Sequence, residues 1–195
     1  MDDKPLLIET ILIQNKRVRH IKYHNHRCNS SRKSLFGSNQ KIDLRKYIDT
    51  SQATNARTKC RITYDDKVRK VEYEPYSIRP IHSLKFIEIG DYEYAFKYAD
   101  RYQLMHFFNQ RGEKDDILMI RSGLITDTLY ANVALQKDDI WYTPKKPLLK
   151  GTRRARLIES KTIIPMDIHK DQINEFTCIS IFNALIPFKK VVVKI

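Results

Sequence analysis

The sequence predicts a two-domain α+β protein, with a small mixed domain over residues 1–93 and a larger, β-rich domain over residues 94–195. Three observations lead there. The first half combines strand-like runs with a helix-compatible stretch, and a turn signal at Asp65-Asp66 joins two of the runs as a hairpin. Near Tyr94 the pattern changes to an aromatic stretch of helical period. The second half then sets short apolar runs between acidic and Pro-bounded turns. A chain of 195 residues at 42% hydrophobic can bury one large or two small cores.

Taken in order, residues 5–13 (PLLIETILI) predict a strand, Gln14-Asn15-Lys16 a turn, and residues 18–21 a second strand. Residues 23–36 (YHNHRCNSSRKSLF) are polar and helix-compatible, and His24 and Arg27, three apart, share a face. A short helix fits residues 41–54, with Ile42, Leu44 and Ile48 as its apolar stripe. Strands follow at 59–64, 68–76 and 83–89, with Pro75 and Pro80 marking the exit from the second. Ala99, Tyr102, Leu104, Met105 and Phe108 predict a helix over 94–110, with Gly112 as its stop. A strand at 116–120 leads into an acid-bearing turn at 123–128. Strands at 130–135 and 140–143 flank the Asp138-Asp139 turn. Gly151-Thr152 opens a basic helix that continues over 153–159. A strand at 162–168, a polar turn or short helix at 169–174, a buried strand at 176–185 with Asn183 near its end, and a closing strand at 191–195 complete the chain.

Composition narrows the function classes. The net charge of +13 makes an anionic partner, generically nucleic acid, a reading to weigh. The basic residues are scattered rather than gathered in one tract, and the chain has no zinc-finger spacing, no Gly-Phe-type RNA-binding motif and no helix-turn-helix signal. No apolar run reaches the roughly 18 residues of a membrane span. The opening MDDKPLLIETILI begins acidic and carries Glu9 inside its apolar run, unlike a signal or transit peptide. Cys28, Cys60 and Cys178 are odd in number, far apart and without a CxxC, which predicts a reduced, cytoplasmic protein with no metal site.

The chemistry concentrates in residues 121–157. A Gly-Thr pair at a helix start suits phosphate, because first-turn N–H groups lack intrahelical partners and the helix dipole favours an anion. The acid on the turn before a buried strand, Asp127, is placed to face a cationic group. The order G-x-I-T-[acid]-T-x-x-x-N, x-x-T-P, L-L-x-G-T-x-R is carried by Gly123, Ile125, Thr126, Asp127, Asn132, Thr143, Pro144, Leu148, Leu149, Gly151, Thr152 and Arg154. It resembles the signature half of the class IV aminotransferases. That family of pyridoxal-phosphate fold type IV includes branched-chain and D-amino-acid transaminases and aminodeoxychorismate lyase. The first half resembles it too, in the strand bearing Glu9-Thr10 and the His24-x-x-Arg27 that follows.

The resemblance implies a fold-type-IV enzyme whose larger domain is β-barrel-like, with pyridoxal 5′-phosphate as cofactor. It implies Lys97 as the catalytic lysine, because Lys97-Tyr98-Ala99-Asp100-Arg101 fits the family's K-x-x-[ND]-R-like context. The aromatic, apolar run around Lys97 agrees, since desolvation lowers an amine's pKa and favours Schiff-base chemistry. Asp127 would face the pyridine nitrogen. Arg27, the N–H groups of Thr152 and Arg153, and Asn183 would hold the phosphate, with a strand-end turn as the other role open to Asn183. Tyr102 would touch the ring oxygen, as in the transaminases, or else fill the core. Two departures stand out. The family usually has glutamate where this chain has Asp127, and the chain begins at the Glu9-Thr10 strand without the family's opening strand and G-D-G-type segment. The expected function is a lyase of the aminodeoxychorismate type or an amino-acid transaminase, working as a homodimer on a small amino-acid-like substrate. The alternatives are a basic nucleic-acid-binding protein and a family member that binds cofactor without turnover.

Overall fold

A computed structural model describes residues 4–54 and 56–195. They form two compact units, the first made of Met1–Ile78 with Phe96–Asp100, the second of Arg79–Ala95 with Arg101–Ile195.

The first unit opens with β1 (Leu7–Gln14), which turns through Asn15 and Lys16 into β2 (Arg17–Val18) and then α1 (Ile21–Phe36). Two 3-10 turns, Leu44–Tyr47 and Thr50–Gln52, lead to β3 (Arg57–Tyr64) and β4 (Val68–Pro75). The sheet is antiparallel throughout, in the order β2-β1-β3-β4. Strand β3 alternates strictly, burying Thr58, Cys60, Ile62 and Tyr64, the period of a strand with one covered face. Strand β1 is buried on both faces, which is why its sequence is nearly all apolar. Leu7, Ile11, Ile13, Cys28, Leu44, Cys60, Ile62 and Tyr64 form the core between sheet and helix.

The second unit holds β5 (Leu84–Glu88), α2 (Tyr102–Asn109), β6 (Asp116–Arg121) and β7 (Leu124–Ile125), with β5 and β6 parallel and β6 and β7 antiparallel. It continues with β8 (Asn132–Lys137), β9 (Ile140–Pro144), α3 (Thr152–Glu159), β10 (Ile164–Met166), β11 (Cys178–Phe182) and β12 (Val191–Lys194). These strands make a five-stranded sheet in the order β10-β9-β8-β11-β12. Only the β9–β10 pair is parallel, and α3 forms its crossover. Ala134, Trp141, Leu157, Ile163 and Phe182 pack α3 onto this sheet.

Four expectations change. The division expected at residue 93 differs from the compact units, which part at Ile78 and return Phe96–Asp100 to the first unit. The reason is pairing. Ile8 N–H donates to Lys97 O at 2.9 Å, Ala99 N–H donates to Leu6 O at 2.8 Å, and Leu7 faces Tyr98 across an antiparallel bridge. That same pairing shortens the helix expected over 94–110 to Tyr102–Asn109. The helix expected over 41–54 is instead two 3-10 turns, because Asp43 and Asp49 accept from Arg45 N–H and Ser51 N–H and close local turns. The second strand, expected over 18–21, stops at Val18, since α1 already begins at Ile21.

Candidate functional site

In the first unit, Glu9 lies on the inward face of β1, in register with Leu7, Ile11 and Ile13, and is fully buried. A carboxylate in that position requires partners. α1 supplies two of them, three residues apart on one helix face. Arg27 donates from Nε to Glu9 Oε1 at 2.8 Å and from Nη2 to Oε2 at 2.7 Å, and His24 Nδ1 meets Oε2 at 2.6 Å. Burial alone would raise the Glu9 pKa, but the Arg27 charge and the bonds from His24 and Arg27 outweigh it and bring the carboxyl down to about 2. His24 moves down, first through burial and then through the charges of Arg27 and Lys97, against the pull of Glu9. Lys97 sits opposite Ile8 on the strand segment that joins the edge of β1, one residue from Glu9 in the pairing.

In the second unit, Asp127 is buried in the turn between β7 and β8. Asn132 Nδ2 donates to its Oδ1 at 2.8 Å, and Leu149 N–H donates to its Oδ2 at 2.9 Å. Both donors are uncharged. Burial therefore dominates, and the carboxyl is pushed up to about 6 despite those bonds and the charge of Arg154. Asn132 Nδ2 also donates to Leu149 O at 2.8 Å. This ties the acid to the segment that enters α3. Gly151 precedes the helix, and a Cβ there would overlap Asn132 Oδ1, so only glycine lets the helix start approach the Asp127–Asn132 pair. No side chain caps the start of α3, and Thr152, its first residue, is buried. Arg154 is buried beneath and donates to Pro144 O at 2.7 Å.

The loop after β11 is bound to this helix start. Arg153 donates from Nε to Asn183 O at 2.5 Å and from Nη2 to Ala184 O at 3.1 Å. Asn183 in turn accepts at Oδ1 from Leu185 N–H and Ile186 N–H, and its Nδ2 donates to Tyr130 O at 3.0 Å. Its carboxamide thus shapes two loops, the strand-end role that the sequence left open. Arg101 donates to Leu129 O at 2.5 Å and lies over the Tyr130 ring at 4.1 Å, bracing the Asp127 turn from the other side.

In the second unit, Asp127 is tied through Asn132 and Leu149 to the segment that enters α3 at Thr152, and Arg153 in the first turn of that helix is bonded to the Asn183 loop. Arg27 and Lys97 belong to the first unit, with Arg27 gripped by Glu9. Tyr102 is the first residue of α2 and 79% exposed, so the reading of it as core packing fails. Sequence reasoning passed over Glu9 and His24 as site residues. An ionisable residue at inward parity in an apolar strand was the available signal for Glu9, and the helix-face partners of Arg27 the signal for His24.

A family model described as amino-transferase class IV matches residues 93–192. An uncharacterized protein of Haemophilus influenzae is 31% identical over 182 residues, covering 92% of this chain and 97% of that protein. A solved structure from Haemophilus somnus, provisionally named a 4-amino-4-deoxychorismate lyase, matches with a TM-score of 0.88 at 32% identity, over 95% of this chain and 98% of that one. The pyridoxal-phosphate-bound form of a hypothetical aminotransferase from Mycobacterium tuberculosis shares the fold, with a TM-score of 0.79 at 16% identity over 97% of this chain and 81% of that one. The fold is that of the fold-type-IV aminotransferase structures, as the signature residues implied.

Proposed function

Since the chain belongs to the class IV aminotransferase family, we propose that it is a pyridoxal-phosphate-dependent enzyme with an amino-acid-like substrate, and that its reaction is the lyase type. The substrate would be 4-amino-4-deoxychorismate, and the products 4-aminobenzoate and pyruvate. The likeness at 32% identity over nearly the whole of both chains supports the choice of reaction. Tyr102, which would favour a transaminase, stands exposed at the head of α2.

The observation that carries the cofactor reading is Asp127. A buried carboxyl held by two neutral donors and raised to about 6 is suited to a cationic N–H, such as a protonated ring nitrogen. The uncapped start of α3, tied to that acid through Asn132 and Leu149, suits the phosphate at the other end of the same molecule. The residues present therefore fit the group.

Each residue then has a role. Asp127 keeps a proton on the ring nitrogen. The N–H groups of Thr152 and Arg153 bind the phosphate, with Arg27 contributing its charge. Asn183 and the Arg153 side chain hold the loop after β11 against the helix start. Lys97 holds the cofactor covalently and moves the proton at the substrate's reacting carbon. When bound, pyridoxal 5′-phosphate supplies the electron sink that stabilises carbanion charge at that carbon. A homodimer is part of the same proposal, and light scattering on the purified protein tests it.

The reaction is tested by adding 4-amino-4-deoxychorismate to the cofactor-loaded protein, and in parallel a panel of amino acids without any keto acid. Release of pyruvate and 4-aminobenzoate is the expected result. Loss of the visible cofactor band on adding an amino acid alone, with no pyruvate from aminodeoxychorismate, would make the enzyme a transaminase. Cofactor binding with neither reaction would identify a member that has lost turnover.

A further inference from the structure

Glu9 and His24 have no part in the roles assigned above, yet both are buried, with Glu9 bonded to Arg27 at 2.7 and 2.8 Å and His24 bonded to Glu9 at 2.6 Å. Stability alone is a weak reason to bury such a group, since well-packed apolar residues of similar volume are often as good or better. The geometry points to another reason. We propose that Glu9 and His24 are positioning residues that set the guanidinium of Arg27 in advance for a phosphate dianion. This rests on the reading of Arg27 as a phosphate-binding residue.

A free arginine loses much side-chain freedom when it grips a ligand. Here one edge of the Arg27 fork, Nε and Nη2, is seated on the two oxygens of Glu9, which fixes both the plane and the rotation of the guanidinium. The carboxylate must itself be held, or the pair would turn as one. His24 does this by donating its Nδ1 proton to Glu9 Oε2, the oxygen that also receives Nη2. Burial and the nearby charges of Arg27 and Lys97 keep the imidazole neutral, so the proton shared with Glu9 fixes its tautomer. The arrangement is rigid on both sides: Glu9 comes from the middle of the paired strand β1, and His24 and Arg27 come from successive turns of α1. Ordering that a ligand would otherwise impose is completed when the unit folds.

The test is a double-mutant cycle read as the affinity of the full-length protein for pyridoxal 5′-phosphate, measured by absorbance titration with no substrate present. His24→Leu removes the donor to Glu9. His24→Asn retains an N–H near the position of Nδ1. His24→Leu is expected to weaken binding by about three- to tenfold, the scale of one hydrogen bond. His24→Asn is expected to restore most of that loss, and His24→Leu to have no effect once Arg27 is Ala. A general loosening of the fold would weaken binding equally in both backgrounds, and that outcome overturns the proposal. So does an unchanged His24→Leu protein in which Arg27→Ala still weakens binding. If Arg27→Ala alone changes nothing, the phosphate role of Arg27 falls, and the positioning role with it. Thermal unfolding of each variant, recorded without cofactor, separates loss of fold from loss of affinity.

Discussion

Replacing Asp127 with asparagine keeps the shape of the side chain and removes its charge. In the folded protein the carboxyl is raised from 3.8 to about 6, and a shift of about 2 units corresponds to about 3 kcal/mol. The sign follows from the direction. A carboxyl whose pKa is higher in the folded state contributes stability that is fully present below pH 3.8 and is lost as pH rises through about 6. At neutral pH the cofactor-free protein therefore carries an ionised, buried Asp127 at a penalty of about 3 kcal/mol relative to the protonated form. Asparagine escapes the penalty but turns an N–H₂ group toward one of two donors, Asn132 Nδ2 or Leu149 N–H, losing a buried hydrogen bond worth about 1–3 kcal/mol. The two effects nearly offset in total stability at pH 7, so the pH dependence is the quantity to read. Urea unfolding of both cofactor-free proteins between pH 4 and 7.5, plotted as the difference, should show the variant gaining on the parent by about 2.5 kcal/mol from the acid end to the neutral end. Taking the difference cancels Asp116, whose carboxyl also moves up on burial, and Glu9. With pyridoxal 5′-phosphate present the parent should recover, because a charge-assisted bond from the ring N–H contributes about 1.5–3 kcal/mol, and the variant should not. A flat difference curve, or one with the opposite slope, would refute the reasoning.

Three further outcomes are expected. Borohydride reduction of the cofactor-loaded protein should fix the label on the peptide that contains Lys97, and label spread over several surface lysines would remove that lysine from its role. Gly151→Ala should lower stability by about 2–4 kcal/mol, since the new methyl displaces Asn132 from its bonds to Asp127 and Leu149 O; an unchanged melting transition would show that the contact relaxes freely. Despite the charge of +13, nucleic acid should bind only weakly, without sequence preference and with a steep loss in salt. Tight binding that survives high salt would revive the nucleic-acid reading.

Much of the fold was legible because the patterns that encode it are local. Strand β3 shows its inward face directly in the sequence as Thr58, Cys60, Ile62 and Tyr64. The acidic turn at Asp138-Asp139, with both residues at positive φ, marks the hairpin between β8 and β9. The helix start at Gly151-Thr152 was visible for the same reason. What stayed hidden depends on partners distant in sequence. The residues around Lys97 have helical period and aromatic bulk, yet they are extended because they bond to the edge of β1, about ninety positions earlier. No window of local sequence contains that edge. The site divides likewise: Asp127 and Asn132 are five apart and legible as a motif, whereas the grip of Glu9 on Arg27 joins a strand to a helix. The 79% exposure of Tyr102 also follows from the late start of that helix, which places the tyrosine at its first turn.

The return of Phe96–Asp100 to the first unit also bears on how the chain can be cut. β2 covers β1 only at Ile13 and Gln14, so the backbone of Leu6 to Ile8 on that side is satisfied by residues 97–99. A fragment ending at Ile78 would leave those groups open as an unpaired, apolar strand edge, the kind that recruits other chains and aggregates. It would also lack Lys97. Because the polypeptide passes between the units at 78/79, 95/96 and 100/101, no single truncation separates them. Grafting the lysine-bearing unit into another protein would require two insertions, and a proteolytic nick within residues 79–95 should leave both fragments associated rather than release a folded half.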